Sequence, residues 1–199
     1  MKKSLMIVAL MAMACLMALP ALAEEPAKPS GEQMQMPPMG PPEEMKQLAF
    51  LEGTWDVVSN FNISMDPTKE QWQESKATAV YSYIVDGAAM QCVYDGGADM
   101  MPGMPPFKGF MLQAYNRETK KWQATWVDNM SGSISLYTGT HDAGKSVLEG
   151  EDMMGGQKWW TRMTSYDETP GAFKWKMEMS MDGGKTFVTS GTATYTKRK

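Results

Sequence analysis

Cysteine and histidine are almost missing from this chain: its 199 residues hold two cysteines and one histidine. Cys15 lies inside an N-terminal apolar stretch with the marks of a leader, so after processing only Cys92 would remain and no intrachain disulfide could form. The fold must then be held by packing, even in an oxidising compartment. With one histidine, and without Cys-x-x-Cys-His, His-Glu-x-x-His or Gly-x-Ser-x-Gly, the chain lacks the parts for zinc hydrolysis, haem attachment or an activated serine. A non-enzymatic role without a cofactor is the expectation. Positive charge is also scarce, with 19 Lys and Arg against 23 Asp and Glu. The one basic cluster is Lys197-Arg198-Lys199, which argues against nucleic acid or an anionic membrane surface as partner. Long apolar runs are absent beyond Leu5–Leu19, and that one is shorter than the roughly 20 residues a helical span needs.

What is present begins with an export signal. Lys2 and Lys3 precede the apolar run, Pro20 ends it, and Ala21-Leu22-Ala23 is a small-residue cleavage site, so residues 1–23 read as a signal peptide cleaved after Ala23. A lipidated Cys15 is the competing reading, but its flank Ala12-Met13-Ala14 lacks the usual leucine, and cleavage there would leave Leu16–Leu19 as an apolar stub. Periplasmic or secreted localisation follows. Removing Lys2 and Lys3 leaves 17 basic against 23 acidic residues, a net charge of −6. Residues 24–42 hold six prolines and no apolar periodicity, and read as a disordered Pro/Met-rich tether. From Glu43 to Phe50 a short helix is predicted, with prolines and acids at its start, where Leu48, Phe50 and Leu51 would plug one end of the domain that follows.

Residues 43–199 form that domain. Turn signals at Asp86-Gly87, Asn116-Arg117, Asp142-Ala143-Gly144, Pro170-Gly171 and Asp182-Gly183-Gly184, among others, delimit about ten strands. Phe173–Met181 alternates apolar and polar residues at period two, so one face is buried and the other wet. Consecutive hairpins with one apolar face predict an all-β fold: a single antiparallel up-and-down β-barrel, whose closure removes exposed edges. Such a barrel is either filled by side chains or holds one small ligand.

The segments Leu51-Glu52-Gly53-Thr54-Trp55, Val85-Asp86-Gly87, Gly109-Phe110, Tyr115-Asn116, Lys121-Trp122, Trp126-Val127-Asp128, Leu148-Glu149-Gly150 and Tyr195-Thr196-Lys197 occur in an informative order. In this order the chain resembles the uncharacterised bacterial lipocalin-like proteins grouped as a domain of unknown function within the calycins. The resemblance spans roughly residues 44–197. It implies a ligand-binding barrel for small apolar molecules, with a basic residue near the chain end, Lys197 or Arg198, covering Trp55.

Several motifs compete for a chemical role. Gly139–Ser146 matches a phosphate-loop pattern letter for letter, yet Val147-Leu148-Glu149 after it reads as strand where such a loop requires a helix. Ser180–Phe187 resembles a single aspartate box, which without repetition means a hairpin turn capped by Asp182. His141, beside Asp142 in a predicted turn, is read as solvated, with haem ligation as the sharper alternative. Methionine is abundant, 22 in all. Met100, Met101 and Met104 in a Pro/Gly loop would suit Cu(I), against a compositional bias in which methionine replaces leucine. In Trp159-Trp160-Thr161-Arg162-Met163 alternation leans to Trp159 and Met163 inward and Arg162 as a surface charge. The opposite assignment turns Arg162 inward onto a ligand carboxylate, Glu149 or Glu151, and keeps it in the candidate set.

The leading expectation is reversible binding of a small apolar or amphipathic molecule, with Trp55, Val57, Phe61, Trp122, Trp126, Arg162, Phe173 and Trp175 lining or flooring the cavity and Pro102–Phe107 as a portal loop. Cu(I) capture through Met100, Met101 and Met104, or a filled scaffold barrel with protein partners the sequence does not name, are the rivals.

Overall fold

Period-two alternation runs through ten strands, and the hydrogen-bonded ladder they build closes on itself. The computed structural model describes residues 38–64, 69–97, 103, 105–154 and 156–199. The strands are β1 (Gly53–Asn62), β2 (Trp72–Ile84), β3 (Ala89–Gly96), β4 (Lys108–Asn116), β5 (Lys121–Asp128), β6 (Ile134–Asp142), β7 (Lys145–Met154), β8 (Gln157–Tyr166), β9 (Ala172–Ser180) and β10 (Val188–Lys197). Each pairs antiparallel with its sequence neighbour, and β1 pairs with both β2 and β10, giving a closed up-and-down barrel with no free edge. Among the described residues no helix is long and apolar enough to cross a membrane. The leader and residues 24–37 of the tether lie outside the described residues.

The predicted helix is present as a 3₁₀ helix, Glu43–Leu51. Three residues per turn put Met45, Leu48 and Leu51 in one row, and all three are buried. That row plugs the end of the barrel where β1 begins, the cap end. Tyr83 donates its hydroxyl hydrogen to the Met45 carbonyl at 2.6 Å, and Arg117 reaches the Gly40 carbonyl at 2.8 Å. The opposite end, reached by the connections after β1, β3, β5, β7 and β9, is the mouth.

Trp55 is fully buried and locks the plug to the barrel. Its indole N–H donates to the Leu51 carbonyl at 2.6 Å, and its ring packs edge-on against Phe173 with centroids 5.0 Å apart. Lys197, directly opposite on β10, puts its ammonium 5.4 Å from the Trp55 ring and donates to the Phe50 carbonyl at 2.9 Å. Of the two basic residues the resemblance offered for this role, Lys197 takes it, while Arg198 pairs with Asp56 at 2.6 Å. Gly53 makes room for the lysine, since a Cβ there would stand 3.1 Å from Lys197 Cε at a φ of +124°.

The core contains polar groups that find one another. Ser59 and Ser75 share a hydrogen bond at 2.9 Å, and Tyr195, Tyr81 and Cys92 are linked through their hydroxyl and thiol groups. Burial pushes the Cys92 thiol up to about 12, a hydrogen bond from Tyr81 offsetting only part of the effect. Burial likewise raises Tyr81, Tyr94 and Tyr195. An acid with a raised pKa in the fold contributes stability that is complete below its unfolded value and lost as pH rises toward the folded one. The unfolded values lie near 9 for the thiol and 10 for the phenols. Urea midpoints should therefore stay flat to about pH 9 and fall steadily between 9 and 12, with Cys92→Ala delaying the onset of the fall. A midpoint that holds to pH 12 would show that these groups ionise within the fold.

Candidate functional site

Residues directly opposite one another in an antiparallel ladder share a face, so the register assigns every side chain to the lumen or to the outside. At the cap end the inward residues are packed to exclusion. Trp55, Val57, Trp122 and Phe173 are 0–3 % exposed, with Trp122 edge-on to Tyr115 at 5.4 Å and Phe173 stacked on Tyr195 at 4.2 Å. These four expected lining residues form the floor.

The mouth half differs. Phe61, Trp126 and Trp175 face inward and keep part of their surface accessible, as do the inward methionines Met111, Met163, Met177 and Met179. The inward side chains there are less completely buried than those at the cap. Two glycines keep the rings against the wall. A Cβ on Gly109 would stand 2.3 Å from the Trp126 ring, and one on Gly191 would stand 2.6 Å from the Phe61 ring, so each indole or phenyl lies flat over a residue with no side chain. Trp126 also stacks on Phe107 at 6.1 Å and meets Tyr94 at 6.2 Å.

Polar groups enter this apolar space at two carboxylates. Asp128 accepts hydrogen bonds from the Trp126 indole at 2.9 Å and from the backbone N–H groups of Met130 and Ser131 at 2.9 and 2.6 Å. Burial opposes its ionisation, but the backbone and indole hydrogen bonds outweigh that and hold its carboxyl below the usual range. Asp152 faces inward on β7, and its Oδ2 accepts from the Tyr137 hydroxyl at 2.7 Å and from the Thr161 hydroxyl at 2.9 Å. Trp159 stands directly opposite Asp152, and its indole N–H is buried with no partner. The sequence reading did not single out Asp152. Taking Leu148 as inward places Gly150 and Asp152 on the same face, and that alternation was the available signal.

Arg162 faces outward, as the favoured alternation placed it, so it drops out of the candidate lining residues. Its cross-strand partners are Glu149 and Glu178, opposite in face to Met163 and Thr161. It is ion-paired with Glu149, and its guanidinium lies 3.7 Å from the Phe187 ring centroid. The loop after β9 explains this, because it folds over the outer face and covers Trp160, which a Cβ on Gly184 would approach to 3.7 Å. The Trp159–Trp160 pair is thus split between lumen and exterior.

His141 is not solvated. Its side chain is 5 % exposed, its Nε2 lies 2.6 Å from Glu168 Oε2, and Ser165 donates to the other Glu168 oxygen. Phe50 and Trp122 pack on the ring, and Nδ1 is buried without a partner. Because the glutamate sits between serine and histidine, the order is wrong for a serine activated by a histidine base. The ring nitrogen nearest an oxygen is already engaged by Glu168.

The phosphate-loop look-alike is the β6–β7 hairpin. Ala143 and Gly144 turn it with φ of 49° and 76°, and β7 follows where a helix would be needed. Asp182 organises the β9–β10 loop, accepting from Ser180 Oγ and from the N–H groups of Lys185 and Thr186. Met100, Met101 and Met104 lie outside the described residues, as does Pro102 of the expected portal loop. Among the described residues no three His, Cys, Asp or Glu side chains are grouped to hold a metal ion.

A closed ten-stranded barrel, plugged at one end by a short helix and clasped by Gly-x-Trp and a C-terminal lysine, is of the lipocalin-like class. The chain belongs to the family of proteins of unknown function DUF1579, which matches residues 40–197. No curated protein matches it. In fold it is similar to the S-type phycobiliprotein lyase CPES from Guillardia theta, with 13 % identity, TM-score 0.50, and coverage of 77 % of this chain and 92 % of the other. It is also similar to Rv2717c from M. tuberculosis, with 12 % identity, TM-score 0.55, and coverage of 80 % and 100 %.

Removing one partner from the buried His141–Glu168 pair leaves the other uncompensated, which costs about 3 kcal/mol. His141→Ala should lower unfolding free energy by that order in urea titrations. Equal stability in the variant would show that the pair contributes nothing net.

Proposed function

We propose that the protein is exported and reversibly binds a small apolar or amphipathic molecule in the mouth half of its barrel. One observation carries this reading: Phe61, Trp126 and Trp175 face the lumen and retain accessible surface, although aromatic side chains of this size are the ones folding most favours burying. A scaffold barrel gains stability by filling that space, as the cap half does with Trp55 and Trp122. The wall is mostly apolar with a few placed polar groups, the pattern of small-molecule sites. The likeness to a lyase is to its fold, and one fold hosts unrelated chemistries, so the reading rests on the lumen and not on that neighbour.

Export predicts a chain that begins at Glu24 in the mature protein, which intact-mass measurement of material from its own host reads directly. Remaining full-length in the cell would contradict it. For binding, the neutral dye N-phenyl-1-naphthylamine should show saturable fluorescence enhancement with the folded protein. Trp175→Ala should weaken uptake by about tenfold, the loss of one large aromatic contact. Trp122→Ala, on the floor, should lower stability and leave dye affinity nearly unchanged. Absence of saturable uptake by the folded wild type would leave the scaffold barrel as the better account.

A further inference from the structure

We propose that the bound molecule carries a cationic nitrogen, an ammonium or amidinium on an otherwise apolar body, and that Asp152 receives it. This rests on the lumen-binding reading and names the class of ligand the lumen selects.

The argument starts from where charge lies inside the barrel. By register the described inward-facing residues include Asp128 and Asp152 in the mouth half, with Lys197 and His141 at the cap. Lys197 is held by the Phe50 carbonyl and the Trp55 ring, and His141 by Glu168. The basic side chains nearest in sequence to Trp159 and Thr161 point the other way, Lys158 pairing with Glu151 and Arg162 with Glu149 on the outer face. Among the described residues, then, no cation reaches Asp152. Its two donors are neutral hydroxyls, and both go to Oδ2.

A carboxylate partly withdrawn from bulk water and given only neutral hydroxyl partners is matched by a cation beside it, the stronger charge-assisted partner. The surroundings favour the same occupant. Trp159 stands opposite Asp152 as an indole whose negative quadrupole attracts a cation, while Trp126 and Trp175 offer apolar area to an alkyl or aryl body. The polarisable sulfurs of Met163 and Met177, directly opposite each other on β8 and β9, fit that body without demanding a fixed shape. An anionic head group would face two carboxylates, and a neutral apolar molecule would leave Asp152 unmatched.

The test uses three probes of one chain length, dodecylamine, dodecanol and dodecanoate, each below its aggregation concentration near neutral pH and low salt. Each competes with the neutral dye on the intact mature protein. The wild type should bind the amine about tenfold more tightly than the alcohol, and the dodecanoate more weakly than either. Asp152→Asn, near-isosteric and checked for fold by near-ultraviolet circular dichroism, should bring the amine to the level of the alcohol. Glu151→Gln makes the same charge change on the outer face and should keep the preference, which separates the lumen from general attraction to an acidic protein. Equal binding of amine and alcohol by the wild type overturns the proposal while leaving lumen binding intact, and so does a preference that survives Asp152→Asn. If neither the dye nor any probe binds, the lumen reading falls and this proposal with it.

Discussion

The indole of Trp55 is where the first strand, the last strand and the plug meet. Its N–H holds the carbonyl at the end of the 3₁₀ helix, one edge meets Phe173, and Lys197 reaches across it to the preceding carbonyl. A closed ladder needs β10 to find β1 across almost the whole sequence, a contact whose loop entropy is high. Trp55 and Lys197 are in direct register across that seam, so the contact that docks the plug also fixes the pairing that closes the barrel. Truncating a fully buried tryptophan costs on the order of 3–5 kcal/mol. Against a total stability of about 5–15 kcal/mol for a domain, that is a large share.

Concentrating packing at the cap is what frees the mouth. Buried tryptophan, leucine and methionine at one end secure the fold without help from the other, where large inward side chains keep surface exposed. Polar groups follow the same division except at His141, whose buried Nδ1 has no partner. Near the cap, Tyr83, Lys197 and Glu168 are matched within the chain, and in the core Ser59 is paired with Ser75. At the mouth a carboxylate relies on two hydroxyls and an indole N–H has no partner. Unmatched groups of that kind are costly in a free protein and useful in a receptor.

The barrel itself was legible because strand alternation and turn chemistry are local. Phe173–Met181 announces its two faces, and Asp142-Ala143-Gly144 announces the hairpin that the phosphate-loop pattern disguises. Trp55 and Lys197 were legible only through resemblance, since nothing local says that residues 142 positions apart will touch. Side assignment was the harder problem. A one-residue shift reverses a strand's faces, and adjacent tryptophans at 159 and 160 erase the hydrophobic signal that would decide. The ladder, which sets Met163 against Leu148 and Arg162 against Glu149, resolves it in the sense that alternation favoured, and the loop after β9 covers Trp160 from outside. His141 was misread for a related reason. Its turn is local, whereas the Glu168 that buries it arrives from the β8–β9 connection.

Asp152 shows why inward polar residues in barrels escape sequence reading. It follows Glu149-Gly150-Glu151 in a strand that looks solvated on both faces, and a charge among charges carries no signal. Its meaning comes from partners on β6 and β8, Tyr137 and Thr161, whose hydroxyls converge from strands on either side of it. Convergence from three strands is a property of the closed sheet. A structural carboxylate would be expected to take an arginine or lysine, and both are available on β8, yet Arg162 and Lys158 are turned to the exterior and spent on Glu149 and Glu151. The register that faces Leu148 and Met163 to the core forces that outcome, since period two cannot place Arg162 and Met163 on one side. The lumen is thereby left acidic by the same alternation that builds its apolar wall.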